Sequence, residues 1–329
     1  MYKKELYALL ASILIVFIFI FSRTGYSQEK LCLAVSSTND KVRIAYKYDY
    51  SSDIWIDFKK VGINSIMGIE SLHLASNKGH SVNPDLDRPS NLLLKSTTDW
   101  VGPYIVKSNS IKNNKKPSFT GGWHGSNGNS TGNSTARTLS LKVFTDKKQT
   151  DFNKTISCNK VNIDVVNLIA GYNTLSLKGK NREILKETVH YTITKGRIDV
   201  LVETQALDDV TIIKYYGLQT QNSAWKGKIY YIGGNNKEGF SSTKNSSSGF
   251  KRYYPNVSQF QIFSQLGTHK ITAWIDRKYG IGNMELVKVD VPCAFTLSYG
   301  KSYFNLINGY SKLLKKGEKI SWCGGYMLD

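Results

Sequence analysis

The sequence has 329 residues, with 44 lysines and arginines against 25 aspartates and glutamates, and a formal net charge of +19. This length is enough for one large β domain or two ordinary ones with a substantial buried core. The basic residues are scattered one or two at a time, without a basic stripe or helix, which argues against a nucleic-acid-binding protein. A basic surface outside the cell suits an anionic polymer as partner, although an AT-rich genome, which favours lysine codons, would produce the same composition.

Residues 1–27 have the pattern of an export signal. Two early lysines precede an apolar run from Leu6 to Phe21, and small residues follow at Gly25 and Ser27. This order predicts a signal peptide cleaved after Ser27. A retained N-terminal anchor is the alternative, although the apolar run is short for a bilayer span of about 20 residues. No later segment has the apolar length of a membrane span, so residues 28–329 are expected to form a single secreted, periplasmic or extracellular domain.

The rest of the sequence consists of short runs rich in β-branched and aromatic residues, separated by Gly, Asn, Ser and Lys. It contains no convincing amphipathic helix, no internal repeat and no proline-rich linker. This pattern predicts an all-β fold, a large antiparallel β-sandwich or jelly roll, with long polar loops at residues 107–134 and 233–249. The predicted strands are, in chain order, VRIAYKYDY, DIWIDF, SIMGIESLHLA, RTLSLKVFT, KVNIDVVNLIAGY, ILKETVHYTI, RIDVLVETQAL, VTIIKYYGLQT, KIYYIGG, HKITAWIDR, ELVKVDV and AFTLSY.

The segment FTGGWHGSNGNSTGNSTART, residues 119–138, is the most unusual loop. Its glycines permit backbone conformations that other residues avoid, and Trp123 and His124 lie between them, shortly before a strand that begins near Arg137. A tryptophan ring can stack on a sugar, a histidine can accept a proton, and an arginine can pair with a carboxylate. The loop is therefore a predicted wall of a sugar site. The alternative is an ordinary surface loop whose Trp123 folds back onto the core.

One hairpin has a register that the sequence specifies. In EILKETVHYTITKGRIDVLVET, residues 183–204, Lys195-Gly196 is a natural two-residue turn. Glu187 then falls on the apolar face, where a carboxyl group must be protonated or paired with a partner such as Arg182 or a lysine; a catalytic acid is the alternative. His190 falls on the opposite, polar face. The residues expected to be buried are Val189, Tyr191, Ile193, Ile198, Val200 and Val202.

Tyrosines cluster in the segments that follow this hairpin. LDDVTIIKYYGLQTQ carries Tyr215, Tyr216 and Gln219, and KRYYPNV carries Arg252 and Tyr253. Aromatic rings stack on the apolar faces of sugars, while amide, hydroxyl and guanidinium groups bind sugar oxygens. For any single tyrosine, core packing with a hydrogen-bonded hydroxyl is the alternative.

These residue types match the requirements of a lyase that cleaves a uronate-containing polysaccharide by β-elimination. Such an enzyme needs a base that removes the proton α to the carboxyl group, an acid for the leaving oxygen, and a group that neutralises the carboxylate. The predicted catalytic residues are His124, His190, Tyr215 and Arg137. The predicted substrate-binding residues are Trp123, Tyr216, Gln219, Arg252 and Tyr253.

Four segments resemble those of secreted bacterial and phage-associated β-sandwich proteins: TTDWVGPY (97–104), FTGGWHG (119–125), TARTLSLKVFTD (135–146) and LDDVTIIKYYGLQ (207–219). Their general style is similar to that of jelly-roll polysaccharide lyases. The resemblance implies a carbohydrate-related function, with an anionic polysaccharide or a cell-surface glycan as partner. A non-catalytic glycan-binding or adhesion module is the alternative. A structural glycoprotein that uses sequons such as the one at Asn129 is a third hypothesis.

The sequence contains four cysteines, at positions 32, 158, 293 and 323. An even number in an exported chain is compatible with two disulfides, and Cys293 with Cys323 is the favoured pair; unpaired buried cysteines are the alternative. No Cys/His cluster has metal-ligand spacing, so a structural zinc site is not expected. No nucleophile elbow, HExxH motif or Walker loop is present, and no cofactor is indicated.

Overall fold

The computed structural model describes residues 31–36, 41–95, 98–146, 148–149, 155–175, 181–233, 236–242 and 247–329. Within these residues every regular element is a strand, apart from two short 3₁₀ turns at Tyr172–Thr174 and Gly280–Asn283. The strands are β1 (Leu31–Ser36), β2 (Lys41–Lys47), β3 (Ser52–Val61), β4 (Ile66–Ser76), β5 (Asn91–Lys95), β6 (Tyr104–Ser108), β7 (Ala136–Thr145), β8 (Lys148–Gln149), β9 (Ile156–Cys158), β10 (Val161–Ala170), β11 (Glu183–Thr194), β12 (Arg197–Ala206), β13 (Val210–Gln221), β14 (Lys228–Gly233), β15 (Asn236–Ser242), β16 (Ser247–Phe250), β17 (Val257–Phe263), β18 (Lys270–Ile275), β19 (Pro292–Leu297), β20 (Lys301–Leu314) and β21 (Lys319–Leu328).

The strands form three antiparallel sheets. A six-stranded sheet has the order β5-β4-β3-β2-β1-β9, and a five-stranded sheet has the order β16-β19-β20-β13-β6. The largest sheet has ten strands, in the order β15-β14-β17-β18-β21-β12-β11-β10-β7-β8. The predicted all-β antiparallel sandwich is confirmed. The physical basis is the alternation of apolar and polar residues, which lets a strand bury one face and leave the other in solvent.

The ten-stranded sheet packs against both smaller sheets. Tyr191 of β11 packs edge-on against Phe58 of β3 in the six-stranded sheet, with ring centroids 5.2 Å apart. Further along, Phe260 of β17 packs against Phe304 of β20 in the five-stranded sheet, at 4.9 Å. Buried side chains from all three sheets form one continuous apolar cluster. The described strands therefore share a single interior.

The hairpin of β11 and β12 has the predicted register. Thr194 pairs with Arg197 across the turn, and Gly196 has a positive φ of 73°, the conformation that favours glycine in such a turn. All six apolar residues assigned to the inner face are buried. The His190 side chain is 35 % exposed on the outer face. The alternation decides this register, because a one-residue slip would exchange the two faces.

The other predictions about the chain have mixed outcomes. The signal peptide or anchor of residues 1–27 lies outside the described residues and stays a prediction.

Residues 109–134 contain no regular strand, whereas the segment 233–249 contains β15 and part of β16, so the prediction of a long loop there was wrong. No helix among the described residues has the length and apolar character needed to cross a membrane.

The predicted disulfide between Cys293 and Cys323 is wrong. Cys293 is buried in β19, within the five-stranded sheet. Cys323 belongs to the ten-stranded sheet and lies on its outer face, with Sγ 3.8 Å from the Asp276 carboxylate. A disulfide needs two Cα atoms within about 7 Å and side chains that point at each other. Cys158 is bonded to neither of them, and the side chain of Cys32 lies outside the described residues.

Candidate functional site

Asn64, in the turn between β3 and β4, fixes the position of the glycine-rich loop. Its side-chain NH₂ group donates to the carbonyl oxygens of Gly122 (2.7 Å) and His124 (3.1 Å). Its carbonyl oxygen accepts from the backbone N–H groups of Thr135 (2.6 Å) and Ala136 (3.1 Å). Asn64 is only 4 % exposed. One buried amide therefore joins both ends of the loop to the six-stranded sheet.

Gly122 lets this loop pass directly over Asp99. It has a φ of +50°, and a Cβ atom at this position would collide with the Asp99 carboxylate. That carboxylate accepts a hydrogen bond from the backbone N–H of Trp123. It also lies 3.4 Å from Nε2 of His124. Asp99 is buried, and these two contacts hold its carboxylate against the loop above it.

His124 is held between two acceptors. Its Nδ1 lies 2.9 Å from the carbonyl oxygen of Gly128, which can only accept, so Nδ1 carries a proton. Its Nε2 faces Asp99. Burial lowers the pKa of His124, but the hydrogen bond to Asp99, the charge of that carboxylate and the Gly128 carbonyl outweigh burial, and the net shift is upward. Both ring nitrogens are thus directed at protein acceptors, which the imidazolium form would satisfy together.

Trp123 does not present its ring as an open stacking surface. Its side chain packs against the apolar core. Gly62, which follows β3, approaches it so closely that a Cβ atom there would lie 2.9 Å from the Trp123 Cα. The arrangement observed is therefore the alternative in which Trp123 folds back onto the core.

Phe119 connects the loop to a group of aromatic rings on the outer face of the five-stranded sheet. Its ring centroid lies 5.0 Å from that of His124 and 5.1 Å from that of Tyr216. Tyr216 in turn lies 5.3 Å from Tyr303 and 5.8 Å from Phe295. The rings of Phe295 and Tyr303 are stacked at 4.8 Å. The rings thus form a continuous group that begins at the loop and extends over β13, β20 and β19, with Tyr303 buried within it at 6 % exposure.

Tyr299, Lys214 and Lys301 complete this group of side chains. Tyr299 is 66 % exposed, and the ammonium group of Lys214 lies 5.7 Å from the centroid of the Tyr216 ring. Burial lowers the pKa of Lys301, although the charge of Asp99 acts in the opposite direction. Burial raises the pKa of Tyr216 to about 12, so its phenol is protonated at neutral pH. The five rings of this group form an aromatic cluster, which consists of Phe119, Tyr216, Phe295, Tyr299 and Tyr303.

Tyr215 points into the core and cannot contact a polysaccharide. It is fully buried, its ring stacks on that of Tyr104 at 4.0 Å, and its hydroxyl accepts from Nε1 of Trp322 at 2.8 Å. Burial raises the pKa of this hydroxyl well above its usual value. The predicted catalytic role of Tyr215 is incompatible with this position, because a catalytic acid must reach the leaving oxygen of the substrate.

Glu187 is also a core residue, and no described residue forms the cationic partner that the sequence led us to expect. Its carboxyl group accepts from the hydroxyl of Tyr104 (2.7 Å) and from Nδ2 of Asn167 (3.1 Å). Arg182 pairs with Asp208 instead. Burial raises the pKa of Glu187, and the two hydrogen bonds offset this effect only in part. The buried carboxyl is therefore stabilised in its neutral form.

Arg137 and His190 lie on the outer face of the ten-stranded sheet. Arg137 forms an ion pair with Glu183 at 2.6 Å, and Nδ1 of His190 lies 2.7 Å from the Asp164 carboxylate. The two residues are two strands apart, and His190 is about four residues further along the sheet. Ordinary strand spacing of about 4.8 Å and rise of about 3.3 Å per residue place their Cα atoms about 16 Å apart.

His124 lies on the other side of this sheet. Its partner Asp99 lines a small cavity together with Asn167 and Glu187, which belong to the inner face. The four predicted catalytic residues therefore do not meet in one concavity. The reason is topological, because the loop that carries His124 is anchored to the six-stranded sheet, and Arg137 is the first outward-facing residue of β7.

The predicted substrate-binding residues are likewise divided. Gln219 is 1 % exposed, and its Oε1 accepts from the Thr98 hydroxyl at 3.1 Å. Arg252 and Tyr253 are exposed in the connection between β16 and β17, and within the described residues no ring contact joins Tyr253 to the aromatic cluster. Of this group, only Tyr216 is in the cluster.

The sequence reasoning missed seven residues of this region: Asp99, Phe119, Lys214, Phe295, Tyr299, Lys301 and Tyr303. A signal for four of them was present in AFTLSYGKSYFNL, where Tyr299-Gly300 lies between two alternating strands. That pattern places Phe295 opposite Tyr303 on one face, as observed. Within the described residues, no group of three or more His, Cys, Asp or Glu side chains is placed to hold a metal ion.

No protein-family model matches the sequence, and no curated protein matches it. Among solved structures, an α-galactosidase from Lactobacillus brevis aligns with a TM-score of 0.46 and 10 % sequence identity, over 90 % of this chain and 40 % of that one. A GH36 α-galactosidase from Geobacillus stearothermophilus, solved in complex with raffinose, aligns with a TM-score of 0.46 and 8 % identity, over 87 % of this chain. The chain spans about 40 % of the length of these enzymes.

Proposed function

We propose that this protein is an exported glycan-binding module, and that the aromatic cluster with Lys214 and Lys301 binds an anionic polysaccharide. The observation that carries the proposal is the contiguity of the aromatic rings beside the Lys214 ammonium group, with Lys301 two residues before Tyr303 in β20. Aromatic rings stack on the apolar faces of sugar rings, and their hydroxyls bind sugar oxygens. Lysines attract carboxylate groups, and the net charge of +19 adds a long-range attraction for a polyanion.

Binding without cleavage is the form of the proposal that the site supports better. A β-eliminating lyase needs a base with a lone pair near the sugar, and both nitrogens of His124 face acceptors. The predicted acid, Tyr215, is fully buried. The predicted charge neutraliser, Arg137, is occupied by Glu183. Cleavage of a uronate-containing polysaccharide is therefore the alternative outcome, and the binding experiment also detects it.

The test is a binding panel with the purified protein. Polygalacturonate, alginate and hyaluronan are compared with the neutral polymer dextran by isothermal titration calorimetry. We expect binding to at least one uronate polymer, and the Tyr216→Ala substitution should weaken it by about tenfold or more, equivalent to about 1.4 kcal/mol. Tyr50→Ala is the matched control, because Tyr50 is a 63 % exposed tyrosine beside a different sheet.

Two results would overturn this proposal. If Tyr216→Ala binds as tightly as the wild type, the aromatic cluster is not the glycan site. If the same mixtures develop the ultraviolet absorbance of an unsaturated uronate, the protein is a lyase rather than a binding module. Thermal unfolding of each variant serves to separate lost contacts from lost folding.

A further inference from the structure

The outer face of the five-stranded sheet continues beyond the aromatic cluster. On β6 and β13 the inward residues, such as Tyr104 and Val106, are buried, and the intervening side chains face outward. Lys107 pairs with Thr211, which pairs in turn with Leu313 of β20. The Leu313 side chain is 68 % exposed. These outward side chains lie on the same face of the sheet as Tyr216. They continue that face towards the end of the sheet away from the aromatic cluster.

An open polar hollow of about 500 Å³ begins where this row ends. It is built around Asn173, which is 5 % exposed. The Asn173 side chain accepts from the backbone N–H of Ser108 (2.9 Å) and donates to the carbonyl oxygens of Ser108 (2.8 Å) and Ile111 (3.1 Å). Nδ2 of Asn113 donates to the carbonyl oxygen of Asn173 at 2.7 Å. The hollow thus has a rigid floor and a lining of amide groups.

The hollow carries positive charge that the neighbouring carboxylates do not neutralise. Lys107 and Lys112 both line it, and within the described residues no ion pair involves either of them. Two acidic residues lie beside the hollow, where Asp208 accepts from the Ser108 hydroxyl and the Asp209 carbonyl accepts from the Asn109 N–H. Their carboxylates are paired with Arg182 and Lys315 respectively. An ammonium group without a fixed partner can neutralise a carboxylate of a ligand without first breaking an internal ion pair.

We propose that this hollow is a second subsite, which binds a uronate unit of the same polysaccharide chain that contacts the aromatic cluster. This inference rests on the proposed function. Tyr216 is five residues from Thr211 along β13, and Thr211 pairs with Lys107. The register shift between Ile212 and Lys214 leaves four regular steps, so at about 3.3 Å per step the two subsites are about 13 Å apart, which exceeds the span of one sugar ring. The ligand is therefore an internal stretch of an anionic chain, and mono- or disaccharides fill only one subsite.

The test compares ligand lengths. Fragments of two and of eight units are prepared from whichever of polygalacturonate, alginate and hyaluronan binds the wild type most tightly, and each is titrated by calorimetry. We expect the octasaccharide to bind at least tenfold more tightly than the disaccharide. The double substitution Lys107→Ala with Lys112→Ala should remove most of this gain and leave the disaccharide affinity unchanged.

The matched control is Lys95→Ala with Lys278→Ala, which removes the same charge at two exposed positions, one in β5 and one in the turn after β18. If both double variants lose the same octasaccharide affinity, the effect is general electrostatics and the second subsite does not exist. The same conclusion follows if the wild type binds both lengths equally. If Tyr216→Ala leaves both affinities unchanged, the proposed function fails instead, so the two failures are distinguishable.

Discussion

Asn64 is the residue on which the geometry of the site depends most. Its amide makes four hydrogen bonds to the backbone of the glycine-rich loop and the start of β7. We expect Asn64→Ala to lower the free energy of unfolding by about 3 kcal/mol, because it leaves two buried N–H groups without an acceptor and each costs about 1–3 kcal/mol. Urea denaturation measures this change.

Asn127→Ala is the control for this substitution. Asn127 lies in the same loop but is exposed, and its side chain donates to the Thr131 hydroxyl. Its replacement should change the free energy of unfolding by less than about 0.5 kcal/mol. Equal effects of the two substitutions would show that water replaces the Asn64 amide and that this side chain does not hold the loop.

Glu187 predicts a pH dependence of stability. Burial raises its pKa above the ordinary value of 4.5. The contribution of neutral Glu187 to the free energy of unfolding is therefore complete below pH 4.5. It is lost as the pH rises through the folded-state pKa, because ionisation costs more in the folded protein than in the unfolded chain. Glu187→Gln keeps a neutral group there. We expect this variant to match the wild type at pH 4 and to be at least as stable at pH 7.5.

The measurement is the free energy of unfolding at both pH values, with the exposed Glu285→Gln as control. A Glu187→Gln variant that is destabilised at pH 7.5 but not at pH 4 would contradict the argument. That result would mean that the ionised carboxylate, rather than the neutral acid, stabilises the core.

At the scale of single elements, the hairpin of β11 and β12 was fully predictable. Its information is local, because a two-residue turn and a strict alternation fix the register together. Substitutions of the neighbouring residues His190 and Tyr191 should therefore differ in their effect on the free energy of unfolding. Tyr191→Ala should cost about 3–5 kcal/mol, since it removes a buried ring. His190→Ala should cost less than about 1 kcal/mol, since it removes a partly exposed side-chain contact with Asp164.

Chemical denaturation of the two variants checks this difference. Both substitutions remove a ring from the same strand, so each serves as the control for the other. A larger cost for His190→Ala would mean that its contact with Asp164 is part of the stabilising core of the sheet, against the exposure of both side chains.

The β13 strand shows why the site itself could not be predicted. Its register shifts between Ile212 and Lys214 and again on either side of Tyr216. Each bulge adds a residue to one strand and reverses the alternation beyond it. The sequence provides no local signal for these shifts, so Tyr215 and Tyr216 looked equally suitable as site residues. The structure buries Tyr215 and places Tyr216 outward.

At the scale of the whole molecule, the charge of the surface predicts a dependence on salt. Binding of a uronate polymer should weaken by about tenfold or more between about 0.05 and 0.5 M NaCl, because the screening length falls to a few ångströms at high salt. Calorimetry at both concentrations measures the change in Kd. An affinity that does not respond to salt would restrict recognition to ring stacking, with no part for Lys214 or Lys301.

Sheet order was also beyond the sequence. Alternation shows that a segment is a strand and which side is buried, but it does not select the neighbour. The ten-stranded sheet combines β12 with β21, whose residues are more than a hundred positions apart. Such pairs are decided by the packing of the complete core, and the only strand pairings open to prediction here were local ones in which a short turn joins the two strands.

The position of β21 has a consequence for synthesis of the chain. This last described strand, Lys319–Leu328, pairs with β12 on one side and β18 on the other. It thereby joins two groups of strands that both precede it. Because a nascent chain emerges from its N-terminus, β12 and β18 remain open edges until β21 is made, and open edges are templates for pairing with other chains. A chain that stops before Lys319 is therefore expected to aggregate on or near the ribosome, whereas a chain that includes β21 protects both edges with a single strand.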